Sequence, residues 1–356
     1  MNTIGIEYRV TLIGSSHGNM VGCVIEGVPP NLSIDIAEIQ VDLSRRAPGQ
    51  SKVTTDRKET DTLVIETGIF NGKTTGQPIV AFVRNRDIDS SYYDEIKATP
   101  RPGHADYPAQ IKYGGAQDYR GGGSFSGRMT IGLVIAGSIA KQILATKGIQ
   151  VNAYTSEIAG ISSPQDSFEY VYQNVVRVAS PKNEQEIITR IQKAKADGDS
   201  VGGVVSCQIS GLPVGVGEPI FGSIEGRIAL VMFGVPATKG VEFGSGFAAA
   251  RMMGSQHNDE YYKDGDRVLT RTNHSGGILG GLSNGMPVEF RVAFKPTSSI
   301  SKKQRTVNMT SGDETELKVR GRHDPCIVPR AVVVVECATA MVILDLMLCG
   351  DFLVRI

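Results

Sequence analysis

The sequence predicts an α+β fold in a single domain, and three observations carry that reading. Segments of two-residue period, such as Val288, Phe290, Val292 and Phe294, read as half-buried strands. Segments of helical period, such as Ile187, Ile188, Ile191 and Ala194, read as helices with one apolar face. No linker, repeat or low-complexity block divides the 356 residues. Length alone suggests about two domains, but without a boundary the chain reads as one, residues 1–356.

Taken in order, Tyr8 to Ile13 and Val21 to Ile25 read as strands. Asp35 followed three residues later by Glu38 has capping-box spacing. It opens a helix with Ile36, Ile39 and Leu43 on one face, Arg45 and Arg46 in the last turn and a stop at Pro48-Gly49. Leu63 to Phe70 and Pro78 to Arg84 read as strands joined by a turn-rich segment. The loop Arg101 to Asp106 and the glycine run Gly121-Gly122-Gly123 follow without clear regular structure. Arg128 to Thr146 reads as an apolar helix, and its Gly132 and Gly137 suggest close packing against another element. Ile149 to Ile158 and Val204 to Ile209 read as strands around a helix begun by a capping pair, Asn183 and Glu186, and ended by Gly198. Gly222 to Phe233 is a further helix, and Ala331 to Cys349 is the last. That final run approaches the length of a membrane span. Glu336 and Asp345 inside it would be costly at a bilayer centre, so it reads as a core helix, with no membrane partner expected.

Composition narrows the function. The 37 basic residues balance 37 acidic ones, so no global excess points to nucleic acid, and any anion site must be local. Glycine is abundant at 42 residues and scattered in short motifs, which suits a loop-rich enzyme or binder. The five cysteines are far apart and odd in number, without a Cys-x-x-Cys pair. This disfavours a disulfide framework or zinc site and, with no apparent signal peptide, leads to an expectation of a reducing cytoplasm. The five histidines show no metal-ligand spacing, so no metal is expected.

Two histidines sit in short glycine-bearing loops, Gly14-Ser15-Ser16-His17-Gly18 and Arg101-Pro102-Gly103-His104-Ala105-Asp106. Glycine lets a ligand approach closely, and histidine titrates near neutrality. Two such loops suggest paired proton transfer. Arg45, Arg46 and Lys52 gather positive charge at a helix end, where guanidinium forks match phosphate or carboxylate; dipole compensation on a solvated face explains them equally well. The run from Tyr119 to Arg128, with Gly121-Gly122-Gly123, enters a helix and lacks the P-loop and dinucleotide signatures. Lys295-Pro296-Thr297-Ser298-Ser299 follows a strand directly and could hold a phosphate, or be an ordinary polar turn. His257 reads as a surface loop residue, and His274 as either a loop-orienting or a ligand-touching one.

Together these motifs closely resemble chorismate synthases. The match runs from Thr3-Ile4-Gly5 and the first histidine loop through Asp42 to Ser51, Arg101 to Asp106, Lys112-Tyr113-Gly114, Asp118 to Gly123, Gly276 to Gly281, Lys295 to Ser299 and Gly321 to Cys326. The resemblance implies two antiparallel sheets packed around internal helices, a βαβ sandwich. It implies anti-1,4-elimination of phosphate from 5-enolpyruvylshikimate 3-phosphate to give chorismate, the last step of the shikimate pathway. It further implies a lyase that needs reduced FMN with no net redox change, NADPH as electron source directly or through a reductase, and a homotetramer. His104 would protonate the departing phosphate, His17 would stabilise the reduced flavin, and Asp324 would assist removal of the ring proton. Flavin contacts would fall on Ser124, Phe125, Ser126, Pro236, Ala237, Gly280, Lys295, Pro296, Thr297, Ser298, Ser299 and Arg322. Substrate or NADP contacts would fall on Arg45, Arg46, Lys52, Arg120 and Arg128. The chain departs from the usual pattern at Ser15, where Glu is common, across Ser124 to Thr130, and at Pro236, where Asn is common. A non-catalytic binder on the same scaffold would have no need of both histidine loops.

Overall fold

The computed structural model describes residues 2–49, 53–54, 59–86, 90–321 and 323–353. The first antiparallel sheet is built from β1 (Thr3–Ile4), β2 (Arg9–Gly14), β3 (Met20–Glu26), β4 (Leu63–Thr67) and β7 (Ile79–Arg84), in the order β1-β2-β3-β7-β4. The ribbon of β5 (Ile69–Phe70) and β6 (Lys73–Thr74) lies between β4 and β7 in sequence. The second sheet contains β8 (Gln150–Ile158), β9 (Ile161–Ser162), β10 (Gly203–Ser210), β11 (Thr238–Phe243) and β16 (Val288–Phe294), in the order β11-β16-β10-β8-β9. Three more two-stranded ribbons follow in the chain: β12 (Tyr261–Asp264) with β13 (Arg267–Thr270), β14 (Ile278–Leu279) with β15 (Leu282–Ser283), and β17 (Gln304–Val307) with β18 (Glu314–Leu317).

Both sheets turn alternate side chains inward. Val21, Cys23 and Ile25 of β3 are buried, as are Val205, Cys207 and Ile209 of β10 and the four alternating residues of β16. What they cover is helical. Helix α4 (Thr130–Ala145) packs on the first sheet, α8 (Val328–Cys349) on the second, and the two helices pack on each other. Helices α1 (Ile36–Arg46) and α6 (Ile224–Gly234) flank them. A sheet has one apolar face to hide, and a helix between two sheets must be apolar all round. Both core helices are. Helix α8 and the segment Gly127–Ala145, which carries α4, are each long and apolar enough to cross a membrane, yet 94% and 83% of their most apolar windows are buried inside this chain.

The helix contacts depend on two glycines. A Cβ on Gly132 would stand 2.6 Å from the Gly22 carbonyl oxygen of β3, and one on Gly137 would stand 2.2 Å from the Cys337 carbonyl oxygen of α8. The charges inside α8 are partnered. Asp345 accepts backbone bonds from Ile6, Glu7 and Tyr8 and pairs with Arg227 at 2.8 Å. Glu336 accepts from the Ala153 amide and the Tyr172 hydroxyl and lies 3.5 Å from Lys141.

Several expectations are corrected. In α1 the Asp35 side chain accepts from the Ala37 amide, but Ile36 is exposed. The buried stripe is Ile39, Asp42, Leu43 and Arg46, because Asp42 and Arg46 find buried ionic partners. In α5 (Glu184–Ala196) Asn183 is left-handed and makes no cap bond; its amide donates to the Ser162 carbonyl instead. Two short helices escaped the sequence reading, α2 (Ser91–Ile96) and α3 (Asp106–Tyr113). Tyr107, Ile111 and Tyr113 of α3 are exposed, so no buried apolar stripe announces it. His257 ends a single helical turn, α7 (Gly254–His257), and its ring lies 5.9 Å from that of His274, which also contacts Ser245.

Candidate active site

The first histidine loop is the turn of the β2–β3 hairpin. Gly14 closes β2 at φ +89°, and the Asn85 side-chain amide donates to the carbonyls of Ser15, Ser16 and Gly18. His17 is 7% exposed. Its Nδ1 lies 2.8 Å from the Ser90 hydroxyl, and its ring stands edge-on to Tyr93 at 5.2 Å.

The second loop leads into α3. His104 Nδ1 lies 2.6 Å from Asp106 Oδ1. A ring-nitrogen lone pair facing a carboxylate at that distance would be repelled, so Nδ1 carries the proton and Nε2 is the nitrogen left for chemistry. Arg101 is buried and grips the same carboxylate through Nε and Nη2, both at 2.8 Å, while its Nη1 reaches the Ser299 hydroxyl at 3.2 Å. Burial opposes the charge on Asp106, but hydrogen bonds from Arg101 and His104 outweigh it and hold the carboxyl well below its usual range.

The glycine run brings the two loops together. Gly121, Gly122 and Gly123 all have positive φ within a tight turn, Arg120–Phe125. A Cβ on Gly121 would come within 2.1 Å of His17 Cδ2, and one on Gly122 within 3.2 Å of His104 Cε1 and Nε2. The bare backbone therefore passes between the two imidazoles. Both line one cavity of about 760 Å³, a size suited to a cofactor with a small second ligand.

Cations surround that cavity. Arg46 and Arg128 share the buried Asp61 at 3.0 Å each, and Arg128 also pairs with Glu59. Burial pulls the Arg46 guanidinium down to about 10, Asp61 opposes the fall, and Arg330 and Arg128 add to it. Among the described residues, buried Arg46 Nε finds no hydrogen-bond partner, a donor that an anionic ligand would satisfy. Arg128 Nε also donates to Asn85, which ties the cations to the His17 loop. Lys295 donates to the Gly103 carbonyl at 2.5 Å, and burial together with Lys239 lowers its pKa. Asp324 pairs with Arg330, whose Nε donates to the Arg46 carbonyl. Ala237 lines the wall at φ +72°, a strained value for a residue with a Cβ.

Of the residues singled out from sequence, the cavity gathers His17, His104, Asp324, Arg46, Arg128, Ser124, Phe125, Ser126, Pro236, Ala237 and Lys295 to Ser299. Three lie elsewhere. Arg45 bonds Asp42 and stacks on Tyr172 at 3.7 Å. Arg120 is exposed and paired with Asp118. Gly280 is an exposed residue of the β14–β15 turn. Lys52 and Arg322 fall outside the described residues. The structure adds lining residues not assigned from sequence, among them Tyr92, Tyr93, Arg101, His323 and Arg330. Arg101 lay inside a motif already noted, but its role depends on a side-chain direction that spacing does not reveal. Among the described residues no cluster of His, Cys, Asp and Glu could hold a metal.

The family model for chorismate synthase matches residues 8–348. The chain belongs to the chorismate synthase family. It is 47% identical to the chorismate synthase of Dehalococcoides mccartyi over 100% of this chain and 99% of that one. It is 49% identical to that of Korarchaeum cryptofilum over 96% of each. Chorismate synthase 1 of Solanum lycopersicum, a chloroplastic protein, is 48% identical over 97% of this chain and 80% of its own. A crystal structure of chorismate synthase superposes with a TM-score of 0.76 at 30% identity, covering 98% of this chain and 93% of the other. The two-sheet α+β architecture is thus the fold of a solved chorismate synthase.

Proposed function

We propose that this member of the chorismate synthase family acts as a lyase on 5-enolpyruvylshikimate 3-phosphate, eliminating phosphate and a ring proton in the anti-1,4 sense to give chorismate, with reduced FMN bound beside the substrate. One observation supports this best: two imidazoles, each on a glycine-bearing loop, face a single cation-lined cavity.

The residues present fit an anionic cofactor and an anionic substrate. The cavity has room for both, its wall offers the hydroxyls of Ser124, Ser126, Thr297, Ser298 and Ser299, and Arg46 Nε is a buried donor unsatisfied among the described residues. When bound, reduced FMN supplies an electron-rich ring that assists departure of phosphate and is returned unchanged. Arg46, Arg128 and Lys295 would neutralise the phosphate and carboxylates. His104 Nε2–H would give its proton to a phosphate oxygen as the carbon–oxygen bond breaks and its electron pair leaves with phosphate. His17 would donate toward the negative charge of the reduced ring. Asp324 would assist removal of the ring proton. Acids placed in this way typically contribute about 10²–10⁴-fold each. NADPH as electron source, a cytoplasmic setting and a homotetrameric assembly belong to the same proposal, on the strength of the family likeness.

The test is anaerobic. Purified protein mixed with photoreduced FMN and substrate should release one phosphate per chorismate formed. Normal FMN binding without phosphate release would overturn the lyase reading. Repeating the assay with oxidised FMN and NADPH alone asks whether the protein reduces its own flavin.

A further inference from the structure

We infer that Asp106, held by Arg101, is a positioning residue for His104: it fixes the imidazole proton on Nδ1, presents Nε2 to the cavity and sets a negative charge beside the ring. The inference rests on the proposed acid role of His104 for its catalytic meaning, though its structural content stands on the loop alone.

The geometry is that of a buttressed pair. Asp106 Oδ1 is 2.6 Å from His104 Nδ1. The carboxylate cannot swing away, because Oδ2 accepts from the Arg101 backbone amide at 3.0 Å and from Arg101 Nε at 2.8 Å, and Oδ1 accepts from Arg101 Nη2 at 2.8 Å. Arg101 is itself fixed, since Nη1 bonds Ser299 and the guanidinium lies 5.6 Å over the Tyr93 ring. Arg101 Nη2 also stands 3.2 Å from His104 Nδ1. Both are donors, so that approach adds no bond and leaves the carboxylate as the ring's partner.

Asp106, Arg101 and Lys295 are the charges placed around the imidazole. Asp106 faces it from the first turn of α3, and Arg101 from the same loop. Lys295, at the end of β16, reaches the carbonyl of the preceding Gly103. The glycine run on the other side contributes backbone only at Gly122. Asp106 is thus the anion that offsets Arg101 and Lys295. Without it, an imidazolium would sit between two cations, and the ring would lose its proton at lower pH. An acid must be protonated to act, so the reaction would then fail from a lower pH upward.

Asp106→Asn keeps the shape and one acceptor but removes the charge. In histidine-labelled protein followed by NMR, the pKa of His104 should fall by about one unit or more, and the neutral ring should show a mixed tautomer where the parent shows Nδ1–H. The alkaline limb of kcat should move down by a similar amount with little change in KM, and Asp106→Glu should restore part of both. An unmoved His104 pKa and tautomer in Asp106→Asn would overturn the inference. So would a loss of turnover with no shift of the alkaline limb and an unshifted ring, the result of a merely structural loop contact. A shifted ring with an unmoved kcat limb would uphold the pairing and instead sink the reading of His104 as the acid.

Discussion

At the residue scale each imidazole stands against a bare glycine of the same run, which makes the contact testable. His17→Ala and His104→Ala should each lower turnover by about 10²–10⁴-fold while FMN affinity and circular dichroism stay near the parent values. Gly121→Ala should also hurt, because its Cβ would strike the His17 ring at a backbone φ of +59°. A displacement of about 1 Å can cost on the order of 10²-fold, and stopped-flow phosphate release would read it. Lys295→Ala should weaken FMN or substrate binding about tenfold, a charge-assisted hydrogen bond being worth about 1.5–3 kcal/mol; titration calorimetry checks it. The histidines were legible because loop glycines around a titratable ring have few packing explanations. Arg45 was not separable from Arg46 by chemistry. Adjacent helical residues point about 100° apart, so only one of the two could face the cavity, and Arg45 turns to Tyr172. The Asp106 pairing depends on rotamers, which sequence spacing does not encode.

At the element scale, Gly132 and Gly137 were readable as marks of close approach, and the structure supplies the neighbours: β3 for one and α8 for the other. Gly137→Ala would push a methyl group into the α8 backbone. A loss of about 1–3 kcal/mol is expected, measurable by urea unfolding, with Gly127→Ala as a control because nothing lies within 4 Å of its Cβ position. Seven strands of the two sheets were legible in the sequence, Val288 to Phe294 by its two-residue period, whereas β1, β9 and β11 went unread. Helix α3 was not legible either, because its apolar side chains remain in the open and its first turn is written in site residues. The apolar stripe of α1 was misread for the opposite reason: charged residues are buried where buried partners await them. Which strands neighbour which is set by contacts distant in sequence, and the alternation of single segments carries no record of that order.

At the scale of the whole molecule, the three central helices are cross-linked by charge. Lys141 of α4 lies 3.1 Å from Asp42 of α1 and 3.5 Å from Glu336 of α8. Burial works against its charge, but Glu336 and Asp42 outweigh that and raise its pKa. Lys141→Met would take from Glu336 and Asp42 the cation they share, leaving Asp42 to Arg45, at a cost of about 3 kcal/mol. The sign follows from linkage. A raised folded-state pKa means the contribution is complete below the unfolded value of about 10.4 and is lost as pH rises through the folded one. The difference in denaturation midpoint between parent and variant should therefore be flat across neutral pH and shrink only in strong alkali.

Helix α8 has a consequence for how the molecule is made. All of it but Arg330 and Cys349 is buried, and it fills the space between the second sheet and α4. It follows every other described element in sequence. On the ribosome, the apolar face of the second sheet and one side of α4 emerge before the helix that covers them. Such a nascent chain exposes the kind of surface that chaperones bind and that aggregates when they do not. A stalled chain ending at residue 327 should accordingly be held by chaperones and protease-sensitive, and release of the remaining residues should convert it to a resistant form in one cooperative step.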